Sequence, residues 1–262
     1  MFDWTTLGWS FLSSLLPMGC IALAGWSVSV MRKNVTLVDS LWSLFFLSAV
    51  LFHLHNLNWA LTERRVALLV MVTLWALRLS GFLTWRNWSE NEDRRYQEIR
   101  QNNEPYFWMK SLYLVFGLQV FLAWFISLPL LGGMLSREPL SALDYLGITL
   151  WCLGFFWESI ADLQLAQFKS RSENQGRVMD RGLWRFSRHP NYFGEFTLWW
   201  GFYLFALSAG AWWSFPAPLL MSFLLLRVSG VSLLEKNISE RRPDYVEYIR
   251  TTNSFFPWIR SP

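Results

Sequence analysis

The sequence predicts an all-α, polytopic integral membrane protein, and three observations carry that fold class. The 262 residues are 53% hydrophobic and only 16% charged, whereas ordinary soluble domains carry charge on about a quarter of their residues. Eighteen tryptophans and 22 phenylalanines are more than one water-soluble core of this length can bury. Apolar runs of about 20 residues, enough to cross a bilayer as a helix, recur along the chain. Together these exclude a soluble globular enzyme, a disordered chain and a nucleic-acid-binding module, so no nucleic acid is expected as a partner. Cys20 and Cys152 lie inside apolar stretches and read as small hydrophobes, without a disulfide framework.

Seven spans are expected, at 7–31, 37–58, 64–85, 110–132, 140–168, 191–210 and 212–234. The first follows Asp3 rather than a basic segment and is too long for a signal peptide, so it reads as a retained helix. Pro17 within it is tolerable, since proline is commoner in membrane helices than in soluble ones. Arg32 and Lys33 follow the first span; Arg86, Arg94, Arg95, Arg100 and Lys110 follow the third. Lys169, Arg171, Arg177, Arg181, Arg185 and Arg188 follow the fifth, and the tail adds Lys236, Arg241, Arg242, Arg250 and Arg260. Only Arg64, Arg65 and Arg137 fall on the opposite side. The positive-inside rule therefore puts the N-terminus outside and the C-terminus in the cytoplasm. Tryptophans at span ends, such as Trp4, Trp59, Trp88 and Trp212, fit an interfacial belt. The chain reads as one membrane-embedded domain, 1–262, with the segments 86–109 and 169–190 placed to cover a site.

Ionisable residues inside spans are costly and generally face a polar interior. Here they are Asp39, Arg78, Glu158, Asp162, Glu195, Arg227 and Glu235. Glu158 and Asp162 stand one turn apart on one helix face. Buried ion pairs that fix helix packing are one reading, and a polar cavity opening on the cytoplasmic side is the preferred one. His53 and His55 have no cysteine or carboxylate cluster beside them, so no metal is expected. No dinucleotide or P-loop glycine motif is present.

The densest run is 182–195, Gly-Leu-Trp-Arg-Phe-Ser-Arg-His-Pro-Asn-Tyr-Phe-Gly-Glu. Pro190 suits the start of a helix, whose free N–H groups favour an anion. Arg188 and His189 add donors for phosphate or carboxylate.

Arg188-His189-Pro190-Asn191-Tyr192-Phe193-Gly194-Glu195 resembles the signature of the membrane steroid 5-alpha-reductase and sterol reductase superfamily. The resemblance extends to Asp39-Ser40-Leu41-Trp42, Trp75 to Gly81, Glu92 to Tyr96, and the tail pattern Glu235, Pro243-Asp244-Tyr245, Tyr248 and Phe256-Pro257. It covers nearly the whole chain and is nearest to a bacterial branch, which implies an inner-membrane location. It implies an NADPH-dependent reductase that acts on the carbon–carbon double bond of an enone lipid, with a 3-keto-4-ene steroid as the best-known type. In that reading Asp162, Lys169, Arg177, Asn191, Tyr192 and Glu195 hold the cofactor, with Arg227 and Glu235 from the last span. Arg188 and His189 belong to the same loop, and Arg86 and Arg95 are candidates for the phosphates. Asp39 would donate to the substrate carbonyl. Trp75 stands where related enzymes carry a tyrosine, and Tyr192 completes the catalytic set. Partners implied are an apolar lipid or steroid and the surrounding membrane lipids, with the protein a monomer.

The central motif also occurs in isoprenylcysteine and phospholipid methyltransferases. An S-adenosylmethionine-dependent methyltransferase is therefore the alternative, with the motif loop on the cofactor carboxylate and Glu235 on its amine. A lipid-binding scaffold without enzymatic activity is a third reading.

Overall fold

The computed structural model describes residues 3–88, 90–228 and 244–259, and every regular element among them is helical. They fall into two compact units. One takes the chain up to Leu140 together with Ala209–Trp212; the other takes Ser141–Ser208 and the described residues from Trp213 onward.

The first unit opens with α1 (Trp4–Ser13) and α2 (Leu15–Arg32). The Asp3 carboxylate caps α1 by accepting from the Thr5 and Thr6 N–H groups at 3.1 and 3.3 Å. The division at Ser14 has a local cause: a proline ring collides with the carbonyl four residues back. For Pro17 that carbonyl is on Ser13, where α1 ends. Next come α3 (Leu37–Asn56) and α4 (Glu63–Asn87). Phe45, Phe46, Val72, Trp75 and Ala76 are fully buried on these two helices, and the Ser43 hydroxyl donates to the Ala76 carbonyl at 2.9 Å. After α5 (Arg94–Asn103) and α6 (Phe107–Ser111) the chain makes a π-helical stretch, Leu112–Gly117, then α7 (Leu118–Ile126) and α8 (Leu128–Leu135). Pro129, in the first turn of α8, has no N–H to continue α7, so the run expected at 110–132 is two helices rather than one.

Arg64 and Arg65 occupy positions the sequence does not announce. Both are buried rather than interfacial. Arg64 donates to the carbonyls of Glu138 and Pro139 at 3.0 and 2.9 Å. Arg65 donates to those of Met134 and Ala60 at 2.8 and 2.6 Å. They tie the start of α4 to the chain leaving α8.

The second unit is built on α9 (Ala142–Ser170) and α10 (Pro190–Ser208), followed by α11 (Pro216–Phe223), a π-helical stretch Leu224–Val228, and α12 (Tyr245–Thr251). Glycines make the α9–α10 seam. A Cβ on Gly154 would stand 2.6 Å from the Gly194 carbonyl oxygen and 2.5 Å from the Leu198 nitrogen; one on Gly201 would stand 2.7 Å from the Gly147 oxygen. Gly147 and Gly154, like Gly194 and Gly201, are two turns apart on their own helix, so each pair marks one face.

Among the described residues, five helices are long and apolar enough to cross a membrane: Trp4–Arg32 taken through Ser14, Leu37–Asn56, Glu63–Asn87, Phe107–Ile126 and Ala142–Ser170. They coincide with the first five expected spans. The sixth is helical over 19 residues as α10, but it carries Asn191, Glu195 and Thr197 and does not reach that apolarity. The seventh reaches Val228 as a shorter apolar helix; its expected remainder, 229–234, lies outside the described residues. The segments 86–109 and 169–190 contain α5 and the 3₁₀ turns Ser172–Asn174 and Gly182–Arg185.

Gly154→Val should lower unfolding stability in detergent by about 1–3 kcal/mol, because the new atoms meet backbone that cannot yield. Gly8→Ala on α1, where a Cβ meets nothing within 4 Å, should change it by less than about 1 kcal/mol. Denaturant unfolding followed by circular dichroism checks both.

Candidate functional site

In the first unit the chain between α4 and α6 folds back onto the start of α3. The Asp93 N–H donates to the Thr36 hydroxyl at 2.8 Å, and the Val35 N–H donates to Glu92 at 2.9 Å. Asp93 caps α5 through the Arg95 N–H at 2.9 Å. This sets Arg95 and Tyr96, consecutive in the first turn of α5, against Asp39 in the first turn of α3. The Arg95 guanidinium reaches Asp39 Oδ2 at 2.9 Å and Asp93 Oδ1 at 3.0 Å. The Tyr96 hydroxyl donates to Asp39 Oδ1 at 2.5 Å.

The electrostatics of this cluster follow from burial and pairing. Burial opposes the charge on Arg95, but the Asp39 and Asp93 carboxylates outweigh it and raise its pKa. Burial, reinforced by the negative charge of Asp39, raises the buried Tyr96 phenol well above its ordinary 10.0. Burial works against ionisation of Asp93, yet the Arg95 contacts win and lower its pKa. Glu92 behaves alike: the bidentate contact with Arg100, 2.8 Å on each oxygen, overcomes burial.

Asp39 was expected to donate to a substrate carbonyl. Here both its oxygens accept, one from a guanidinium and one from a phenol, so Asp39 is the acceptor and Tyr96 holds the proton. Arg95 was expected to meet phosphates; it is instead committed to Asp39 and Asp93. Arg86 lies exposed, its Nε donating to the neighbouring Asn87 Oδ1 at 3.0 Å. Trp75 is fully buried and packs edge-on against Phe46, centroids 5.6 Å apart, a position in the helix core.

In the second unit Glu158 and Asp162 are both buried on α9, as their spacing predicts. Asn191 at the start of α10 donates to Asp162 Oδ1 at 3.2 Å. Glu195, one turn further on, is buried as well. The Tyr192 ring stacks on His189, centroids 5.6 Å apart and nearly parallel. The turn leading to α10 is laid on α9 by Gln164, whose Oε1 accepts from Leu183 N–H at 2.9 Å, and by Trp184, whose indole donates to the Ala161 carbonyl at 3.0 Å. Gly182 takes φ 59° there with the Gln164 amide 2.5 Å from where a Cβ would stand, so the turn requires glycine.

Arg188 does something the motif did not suggest. Its Nη1 donates to the carbonyls of Ile249 (3.1 Å) and Thr252, at the C-terminal end of α12, and its N–H to Asn253 at 2.9 Å. Ser187 Oγ donates to the Phe255 carbonyl at 2.8 Å, and the Tyr248 hydroxyl donates to the Trp184 carbonyl. Cationic side chains suit the carbonyl end of a helix. Arg188, expected to receive an anion, thus clamps the C-terminal segment.

Between the turn after α9 and α12 lies a cavity of about 480 Å³, lined by Asn174, Arg177, Asp180, Arg181, Glu247 and Tyr248 among others. Lys169 is exposed at the end of α9, and Arg227 is exposed in the stretch Leu224–Val228. Glu235 lies outside the described residues.

The described residues define an all-helical protein with helices long and apolar enough to cross a membrane and two polar centres, one in each unit. The chain belongs to the family DUF1295, described as a protein of unknown function, which matches residues 25–252. An uncharacterized protein of Schizosaccharomyces pombe is 27% identical over 276 residues, covering 94% of this chain and 79% of its own length. No solved structure matches.

Two outcomes follow from this geometry. Because the folded Tyr96 pKa lies above the unfolded one, its contribution to stability is complete below pH 10 and falls as pH rises above that. Tyr96→Phe should reduce the alkaline loss of stability, measured by denaturant unfolding across that range. Arg188→Ala should release the segment after α12, seen as faster tryptic cleavage at Arg250 with α9 and α10 still protected.

Proposed function

We propose that the chain is an NADPH-dependent reductase of the membrane that saturates the carbon–carbon double bond of an enone lipid. The 3-keto-4-ene steroid class is the substrate type suggested by the motif resemblance. The observation that carries the reading is the Tyr96 phenol held by Asp39, with Arg95 behind it. When a hydride reaches the β carbon of an enone, negative charge develops on the carbonyl oxygen. A fixed donor to that oxygen lowers the barrier by roughly 3–4 kcal/mol. In this reading the single Tyr96 O–H, which Asp39 accepts in the free protein, turns to the substrate oxygen and becomes that donor. Arg95 stays bonded to the other oxygen of Asp39 and holds that side chain in place. The enolate then takes a proton at carbon to leave a saturated ketone.

The second unit supports a nucleotide. A cavity of about 480 Å³ falls in the usual range for small-molecule sites, about 300–1,000 Å³. Arg177 and Arg181 suit phosphates, Asp180 and Glu247 suit ribose hydroxyls, and Tyr248 offers a ring face to a base. Asp162, Asn191 and Glu195 supply amide and carboxylate groups for the nicotinamide end. NADPH, when bound, supplies the hydride. The reading also takes seven spans, the N-terminus outside, and the basic segments on the cytoplasmic side of a bacterial inner membrane.

The protein in proteoliposomes with progesterone should consume NADPH with loss of enone absorbance. Tyr96→Phe and Asp39→Ala should each lower kcat about a hundredfold or more, while titration shows NADPH binding retained. Saturable binding of S-adenosylmethionine with none of NADPH would favour the methyltransferase reading.

A further inference from the structure

The first unit holds a second polar feature that the proposed reduction does not use. Where α2 ends, α3 begins and α4 ends, a small cleft of about 30 Å³ is lined by Arg32, Thr36, Ser40, Thr84, Asn87 and Trp88, with no acidic residue among its lining. Arg32 lies over the Trp88 ring, 4.6 Å from its centroid, and donates to the Trp88 carbonyl at 3.2 Å. Its guanidinium carries five N–H donors in a planar fork, so this contact leaves others for a ligand. Thr36 Oγ1 accepts from the Asp93 N–H, which leaves its own O–H to donate.

Asn87 supplies the observation that points to a ligand. Its Oδ1 accepts from Arg86 Nε at 3.0 Å, which orients the amide. Its Nδ2 is buried and has no hydrogen-bond partner among the described residues. A buried donor without an acceptor is costly, so the cleft is one acceptor short. Of the neighbouring carboxylates, Asp39 and Asp93 are held by Arg95, and Glu92 by Arg100. Arg32 and Lys33 have no acidic partner among the described residues.

We infer that this cleft binds a phosphate group, taken by the Arg32 fork, the Asn87 amide and the Thr84 and Ser40 hydroxyls. Planar guanidinium groups match phosphate oxygens in pairs. A phospholipid headgroup is the source that fits the setting. The cleft lies at the ends of three helices long and apolar enough to cross a membrane. The exposed rings of Trp85 and Trp88 beside it are of the type that sits at headgroup level, where basic residues meet anionic lipid. A free phosphate shares the chemistry and is separated by experiment.

The full chain in a neutral detergent is unfolded thermally with dioctanoyl phosphatidylglycerol, with dioctanoylglycerol, or with inorganic phosphate. Phosphatidylglycerol should raise the unfolding temperature and dioctanoylglycerol should not. Arg32→Gln and Asn87→Leu should each weaken the half-saturating concentration about tenfold, the effect of losing one charged hydrogen bond. Their unfolding without lipid, and that of Thr84→Val as a milder third variant, reports whether the fold is intact. An equal shift from inorganic phosphate, lost in the same variants, assigns the cleft to free phosphate. No shift from either phosphate-bearing probe, or a shift that all folded variants retain, overturns the inference.

Discussion

A guanidinium placed among apolar helices must find acceptors inside the protein, because neither hydrocarbon nor a packed core supplies water. That requirement organises much of this structure. Arg64 and Arg65 meet it on backbone carbonyls between Ala60 and Pro139, joining the start of α4 to the chain after α8. Arg188 meets it on the carbonyl end of α12. Arg95 meets it on Asp39 and Asp93, and in doing so places Tyr96. The same side-chain type therefore closes a loop, anchors a terminal segment and builds a polar centre, according to which acceptors the local backbone leaves open.

Close packing sets the second centre. Gly147, Gly154, Gly194 and Gly201 bring α9 and α10 near enough for main chain to touch main chain. At that separation the short side chains of Asn191 and Asp162 span the gap directly. A larger residue on the seam would push the helices apart and open that contact. Gln164 and Trp184 then fix the incoming turn onto the same helix, so seam, turn and pair form one rigid arrangement. The run 182–195 is in consequence divided by role. Ser187 and Arg188 hold the C-terminal segment, while Asn191 faces the polar groups of α9.

The two polar centres differ in character. The Asp39 cluster is compact, with one guanidinium shared by two carboxylates beside a phenol. The cavity beside α12 is larger and lined by groups of both signs. The first suits a single hydrogen bond delivered to a developing charge; the second suits an extended polar molecule.

Composition alone determined the all-helical class and the first five membrane-length helices, because apolar length and low charge density are properties of consecutive residues. Helical spacing likewise put Glu158 and Asp162 on one face. The breaks at Ser14 and Ser127 were also local, legible from Pro17 and Pro129 once the collision with a preceding carbonyl is considered. What the sequence could not show was which charges meet. Asp39 and Tyr96 are separated by two long helices, and only folding makes the carboxylate an acceptor and the phenol its donor. Arg64 and Arg65 read as interfacial charges until tertiary structure supplies carbonyls to them. Arg188 read as an anion ligand until α12 presented its carbonyl end. In each case the role of a polar group is set by the partner it finds, and that partner is distant in the chain.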